Sequence, residues 1–216
     1  IESSASDVYA VLPPTPQYCW PLLSERLGVE VWLKHESHTP VGAFKIRGGL
    51  VYFADLASGN GTREVIAATR GNHGQSVAFA ARRYGISSTI VVPVGNSVEK
   101  NAAMRALGAR LIEQGDDFQS AREHAVALAE GSGAHMIPSF HPLLVQGVAT
   151  YSLELFRAVQ GLDRMYVPIG LGSGICGAIA VRNALSPNTE IVGVVSAHAR
   201  AYALSFASRR QTESPA

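Results

Sequence analysis

From Val29 onward the apolar residues alternate between short continuous runs and helical spacing. "VEVWLKHE" reads as a strand, and "KIRGGLVYFADLA" as a helix opened by a glycine turn. "EVIAAT" is a short apolar strand. The "HGQSVAFAARRYG" after it repeats its apolar positions at helical spacing and stops at Gly85. The rhythm continues through strand "STIVVP", helix "SVEKNAAMRALG", strand "ARLIEQ", helix "DFQSAREHAVALAEG" and strand "HMIPSF". A long helix "PLLVQGVATYSLELFRAVQ", strand "DRMYVPIG", helix "ICGAIAVRNAL" and strand "TEIVGVVS" complete it. Short apolar strands separated by helices of about 10–15 residues predict an α/β fold, with mostly parallel sheets covered by helices on both faces. The rhythm stops before the polar tail "SFASRRQTESPA". A wound sheet does not normally stop there, so the pattern leads us to expect a chain incomplete at its C-terminus.

Composition narrows the classes. The 216 residues suit one large domain or two small ones. At 47% hydrophobic the chain can fill a substantial core, and 16% charged residues falls below the usual share of about a quarter. A net charge of +1 gives no reason to expect nucleic acid or an acidic membrane surface as partner. No apolar run is long enough to span a bilayer, and "IESSASDVYAVLPPTP" lacks the regions of a secretory signal. Cys19 and Cys176 lie far apart without metal-ligand spacing, which favours a reducing compartment over a disulfide. The expectation is a soluble cytoplasmic protein with a small-molecule partner.

Three stretches carry candidate chemistry. "TPVGAFKIRGG" sets Lys45 between Phe44 and a glycine turn. It is either a surface lysine at a helix start or an amine held for reaction. "VPIGLGSGICG" follows a strand and opens a helix, with Gly170, Gly172, Gly174 and Gly177 within eight residues. Amides at a helix start, with glycine allowing close approach, form a phosphate cradle; the alternative is a tight turn with no ligand. Gly172, Gly174 and Gly177 also match G-x-G-x-x-G, but the next strand ends in "GVVSAHA" without the acidic residue a dinucleotide site expects. "AATRGNHGQS" is the second turn, where Asn72 and His73 lie between Gly71 and Gly74. It suits a small carboxylate, or else an asparagine that merely caps the helix.

An amine, a phosphate cradle and a carboxylate site fit one cofactor. Pyridoxal phosphate has a phosphate to be held and an aldehyde that condenses with a lysine, and its amino-acid substrates have a carboxylate to be oriented. An apolar pocket lowers a lysine pKa by disfavouring the ammonium. "GAFKIRGG", "RGNHGQS" and "VPIGLGSGICG" stand in the order found in pyridoxal-phosphate enzymes of the tryptophan synthase β fold type. The chain resembles above all the threonine/serine dehydratases (ammonia-lyases). "TPQYCWPLLSERLGVEVWLKHES" is similar to that family's opening, and the likeness runs from about Thr15 to Val195.

The resemblance implies specific roles. Lys45 would bind the cofactor covalently and then act as base, with Phe44 beside the ring and Asn72 on its phenolic oxygen. Thr69, Gly71 and His73 would hold the substrate carboxylate, with Arg70 and Asn72 at the edge of that loop. The amides of Gly170, Leu171, Gly172, Ser173 and Gly174 would hold the phosphate. Residues 50–146 would form a small domain, and 1–49 with 147–216 a larger, incomplete one. The implied activity is β-elimination from a β-hydroxy amino acid such as threonine or serine, giving a 2-keto acid and ammonia, in a homo-oligomer.

The sequence also departs from the family. Arg70 stands where related serine racemases have a serine, and a permanently charged guanidinium is a poor proton shuttle. It either selects a substrate with a second acidic group or faces solvent. Val195 occupies the place where many dehydratases have a cation-binding glutamate, so no metal is expected. The phosphate loop reads G-L-G-S-G rather than four consecutive glycines. A divergent β-eliminase, of hydroxyectoine breakdown or of hydroxyaspartate, therefore stays open, as does a non-catalytic pyridoxal-phosphate carrier.

Overall fold

The computed structural model describes residues 1–59 and 61–213. The chain runs α1 (Glu2–Tyr9), β1 (Gln17–Cys19), α2 (Pro21–Leu27), β2 (Trp32–Lys34), α3 (Lys45–Ser58) and β3 (Glu64–Ala68). It continues through α4 (Asn72–Arg83), β4 (Ser87–Val92), α5 (Val98–Ala106), β5 (Arg110–Glu113), α6 (Phe118–Ser132) and β6 (His135–Met136). Then come α7 (Pro142–Ala158), β7 (Arg164–Pro168), α8 (Ser173–Leu185), β8 (Glu190–Val194) and α9 (Ala201–Ser208).

Each strand–helix alternation read from the sequence is present, and the differences concern extent. Two apolar runs yield short strands: "VEVWLKHE" gives only β2, and "HMIPSF" only β6. A strand lasts as long as its partner does, and β6 pairs with β3 over only two residues before reaching Pro138. α1, β1, α2 and α9 are additions that the pattern did not predict. α9 takes in Ser205–Ser208 of the polar tail; its apolar residues are spread around the helix and none is buried, so no one-sided pattern marks it.

β3, β4, β5 and β6 form a parallel sheet in the order β5-β4-β3-β6. Its central strands have two buried faces. Val65, Ala67, Ile90 and Val92 pack with Val77, Ala81 and Met104, while Ile66, Ala68 and Val91 pack on Ala121, Ala125 and Ala129 of α6. β7 and β8 pair in parallel elsewhere, and β1 and β2 pair antiparallel. Among the described residues no helix is long and apolar enough to cross a membrane.

Two features position the site. The chain leaves β3 outward to β4 and β5, then returns to the other side of β3 for β6. The order therefore reverses between β3 and β6, the kind of place where open α/β sheets carry ligand sites, outside the C-terminal ends of the strands. The second feature is a stack of helices in backbone contact. A Cβ on Gly147 of α7 would lie 2.2 Å from the Arg47 carbonyl oxygen of α3, and one on Gly177 of α8 would lie 2.9 Å from Ala149 Cα of α7. Glycine is required at both crossings, and the stack brings the starts of α3 and α8 together.

Candidate active site

The loop before α3 is closed by Thr39, whose Oγ1 accepts from the Ala43 amide at 3.0 Å and donates to the Ala43 carbonyl at 3.1 Å. Gly42 supplies the positive φ of +63° that this turn needs. Lys45 is then the first residue of α3, and Ser76 Oγ of α4 donates to its carbonyl at 2.7 Å. Lys45 Nζ donates to Ser173 Oγ at 3.0 Å and stands 5.4 Å from the Phe44 ring centroid. Phe44 packs edge-on against Tyr151, with centroids 5.8 Å apart. Burial lowers the Lys45 pKa, with no carboxylate opposing it, which favours the neutral, nucleophilic amine.

Beneath the first turn of α3 lies an ion cluster that the sequence reading missed. Arg47 is fully buried. It donates to Glu36 (Nε–Oε2 2.7 Å, Nη2–Oε1 2.9 Å), Glu154 (Nη1–Oε1 2.6 Å) and Thr150 Oγ1 (2.9 Å). Lys34 Nζ donates to Glu154 Oε2 and, at 2.6 Å, to the Thr15 carbonyl. Burial acts to raise the Glu154 pKa, but Arg47 and Lys34 outweigh it and hold the carboxyl below its ordinary value. The available signal was a group of charged residues, in "LKHE" and "FKIR", flanking otherwise apolar stretches.

The β3–α4 connection lies at the reversal of strand order. Thr69 is buried, and its Oγ1 accepts from the amides of Gly71 (2.9 Å) and Gly74 (3.3 Å), which shapes the turn. His73 is buried too. Burial, and then the charge of Lys45, lower its pKa to about 4 against the opposing Pro138 carbonyl. The ring is neutral at physiological pH, and its Nε2 has no hydrogen-bond partner among the described residues. Asn72 is exposed, with its Oδ1 accepting from Lys100 Nζ. Arg70 is exposed and makes no side-chain hydrogen bond among the described residues; its charge is felt by Asp117 at the start of α6.

The β7–α8 connection brings the start of α8 to Lys45. Gly172 caps α8 at φ +96°, Leu171 is exposed and Ser173 is buried. Among the described residues the amides of Gly170, Leu171 and Gly172 donate to no backbone carbonyl, and first-turn amides of a helix have no intrahelical partner. A Cβ on Gly170 would meet nothing within 4 Å. One on Gly172 would stand 3.8 Å from Tyr202 Oη and 3.9 Å from Phe140 Cε2. Phe140, from the β6–α7 connection, and Tyr202 of α9 therefore border the turn. They are single aromatics with no pattern to mark them in the sequence. Tyr151 Oη donates to the Gly174 carbonyl at 3.3 Å, and burial raises its pKa to about 12.

Lys45, Phe44, Ser173 and Gly174 thus meet, His73 lies near enough to feel the Lys45 charge, and Arg70 and Asn72 are on the exposed side of the second turn. A desolvated amine, free helix-start amides beside a glycine open to solvent, and an orphaned buried imidazole nitrogen fit pyridoxal phosphate.

Comparison with known proteins agrees. A family profile described as "Pyridoxal-phosphate dependent enzyme" matches residues 10–216. Threonine dehydratase 1 biosynthetic, chloroplastic, of Solanum lycopersicum is 39% identical over 204 residues, covering 94% of this chain and 34% of that protein. The L-threonine dehydratase biosynthetic IlvA of Escherichia coli (strain K12) is 34% identical over 188 residues, covering 87% and 37%. Among solved structures, the processed form of threonine deaminase isoform 2 from Solanum lycopersicum superposes with a TM-score of 0.88 at 32% identity, covering 98% of this chain and 63% of that one. Maize serine racemase gives a TM-score of 0.93 at 26% identity, covering 100% and 66%. The chain spans about a third of the length of these curated relatives (34% and 37%). Site and comparisons agree, and the chain belongs to the family of pyridoxal-phosphate dependent enzymes.

Proposed function

We propose that this chain supplies the cofactor-holding and base-positioning part of a lyase acting on a β-hydroxy amino acid such as threonine or serine. The substrate loses its hydroxyl as water and its amine as ammonia, takes up one water on hydrolysis, and ends as a 2-keto acid. The observation that carries the reading is Lys45 Nζ, desolvated and 3.0 Å from the first side chain of α8. The printed names of the threonine dehydratase relatives support it.

When bound, pyridoxal phosphate supplies an aldehyde for the lysine and a ring that accepts the electron pair left by a departing α proton. Lys45 Nζ is the group placed to take that proton. The amides of Gly170, Leu171, Gly172, Ser173 and Gly174 hold the phosphate at the positive end of α8. Phe44 packs against the ring and, with Tyr151, excludes water from the amine. Asn72 meets the phenolic oxygen, and neutral His73, with the turn that Thr69 shapes and Gly71 opens, meets the substrate carboxylate. Arg70 edges that turn. In this reading residues 50–146 form the smaller body and 1–49 with 147–216 the larger, the enzyme is a homo-oligomer, and two free cysteines accord with the cytoplasm.

The test uses the full-length protein. Loaded enzyme is yellow, borohydride fixes the cofactor on Lys45, and Lys45→Ala abolishes both trapping and turnover. A keto-acid assay with threonine, serine and hydroxyaspartate identifies the substrate. Protein that takes up no pyridoxal phosphate, or a Lys45→Ala variant that keeps substantial turnover, refutes the assignment.

A further inference from the structure

Nothing in the hydrophobic pattern marks Lys100, which stands in the first turn of α5, where Ser97 Oγ accepts from its amide at 3.3 Å. Its side chain does not extend into solvent along its own helix. It crosses to the β3–α4 turn and lies over Gly71, where a Cβ would be 2.3 Å from Lys100 Cδ, 3.1 Å from Cε and 3.2 Å from Nζ. A side chain at position 71 would displace the lysine stem. The ammonium ends on Asn72 Oδ1. Among the described residues no carboxylate forms an ion pair with Lys100.

An ammonium has donors only, so it pairs with the oxygen end of an amide and never with the nitrogen end. That contact decides which way Asn72 faces and leaves Nδ2 as its free end, a donor. Without the lysine an exposed asparagine amide can present either end, and half of those orientations would set oxygen against oxygen at an anionic group. We propose that Lys100 is a positioning residue: it orders Asn72 as a hydrogen-bond donor toward the bound cofactor, across a glycine that leaves room for its stem. The inference rests on the function proposed above, in which Asn72 meets the cofactor.

The experiment is a double-mutant cycle on the cofactor-depleted full-length protein, with the dissociation constant for pyridoxal phosphate read by spectral titration. Lys100→Met keeps the stem and removes the donor. It is expected to weaken binding about tenfold, the scale of one charge-assisted hydrogen bond. Asn72→Ala weakens binding by at least as much, the double variant is no weaker than Asn72→Ala alone, and Lys100→Arg recovers most of the wild-type value. The unfolding midpoint of cofactor-depleted Lys100→Met stays at the wild-type value; should that variant misfold, Lys100→Leu takes its place in the cycle. Unchanged binding by Lys100→Met, or losses that add in the double variant, overturns the inference and leaves the proposed function intact. Wild-type protein that binds no pyridoxal phosphate overturns both.

Discussion

Arg47 is buried without access to water, and its guanidinium is the only cation that meets both Glu36 and Glu154 among the described residues. Breaking a buried pair leaves uncompensated charge, at about 3–5 kcal/mol. Arg47→Met is therefore expected to lower the unfolding free energy by about that amount in urea titrations, while a loss below about 1 kcal/mol would show the two carboxylates relaxing to water. His73 gives a pH prediction. In the unfolded chain its imidazole takes a proton near 6.5, and in the fold only at about 4. Between these values the unfolded chain binds more protons, so this contribution is complete above pH 6.5 and is lost as pH falls toward 4. His73→Gln should flatten that acid limb in melting curves of the cofactor-depleted protein; an unchanged limb would mean that other groups cause it. Lys45 was legible in the sequence because its neighbours along the chain already made it unusual. Arg47 was not, because its partners lie 11 and 107 residues away and their pairing exists only once the chain folds.

At the scale of elements, the helix crossings carry the strongest constraint. Gly147→Ala sets a methyl carbon 2.2 Å from a backbone oxygen of α3, which cannot swing aside like a side chain. Overpacking of this kind costs about 1–3 kcal/mol, and the damage should also reach the start of α3, so the cofactor affinity falls together with the melting temperature. Gly131 in α6 has nothing within 4 Å of its Cβ direction, and Gly131→Ala should stabilise by about 0.5–1 kcal/mol. The two glycines look alike in the sequence, yet the same substitution takes opposite signs at them. Helix and strand alternation could be read because burial on two faces writes itself into composition. α1, α2 and α9 could not, since α2 and α9 bury no residue and α1 buries only Ser4, Ala5 and Val8.

For the whole molecule, the proposed site would join the turn at the C-terminal end of β3, inside the four-stranded sheet, to the start of α8 beside the β7–β8 pair. A cofactor held at both places binds the folded state alone. Full-length protein at 100 times its dissociation constant of pyridoxal phosphate should gain about 2.7 kcal/mol, seen as a rise in melting temperature. Lys45→Ala should lose most of that gain, and an absence of any shift in the wild type would argue against a site spanning both places.

The sequence by itself determined the alternation of strands and helices, the two glycine turns and the unusual setting of Lys45 beside one of them, because each is encoded in residues adjacent or at fixed spacing along the chain. Tertiary structure alone decided the rest. It set the reversal of strand order beside β3, the backbone contacts of Gly147 and Gly177, the ion cluster around Arg47, and the reach of Lys100 over Gly71 to Asn72. These depend on distances between residues remote in the chain, and such distances exist only when the elements have packed.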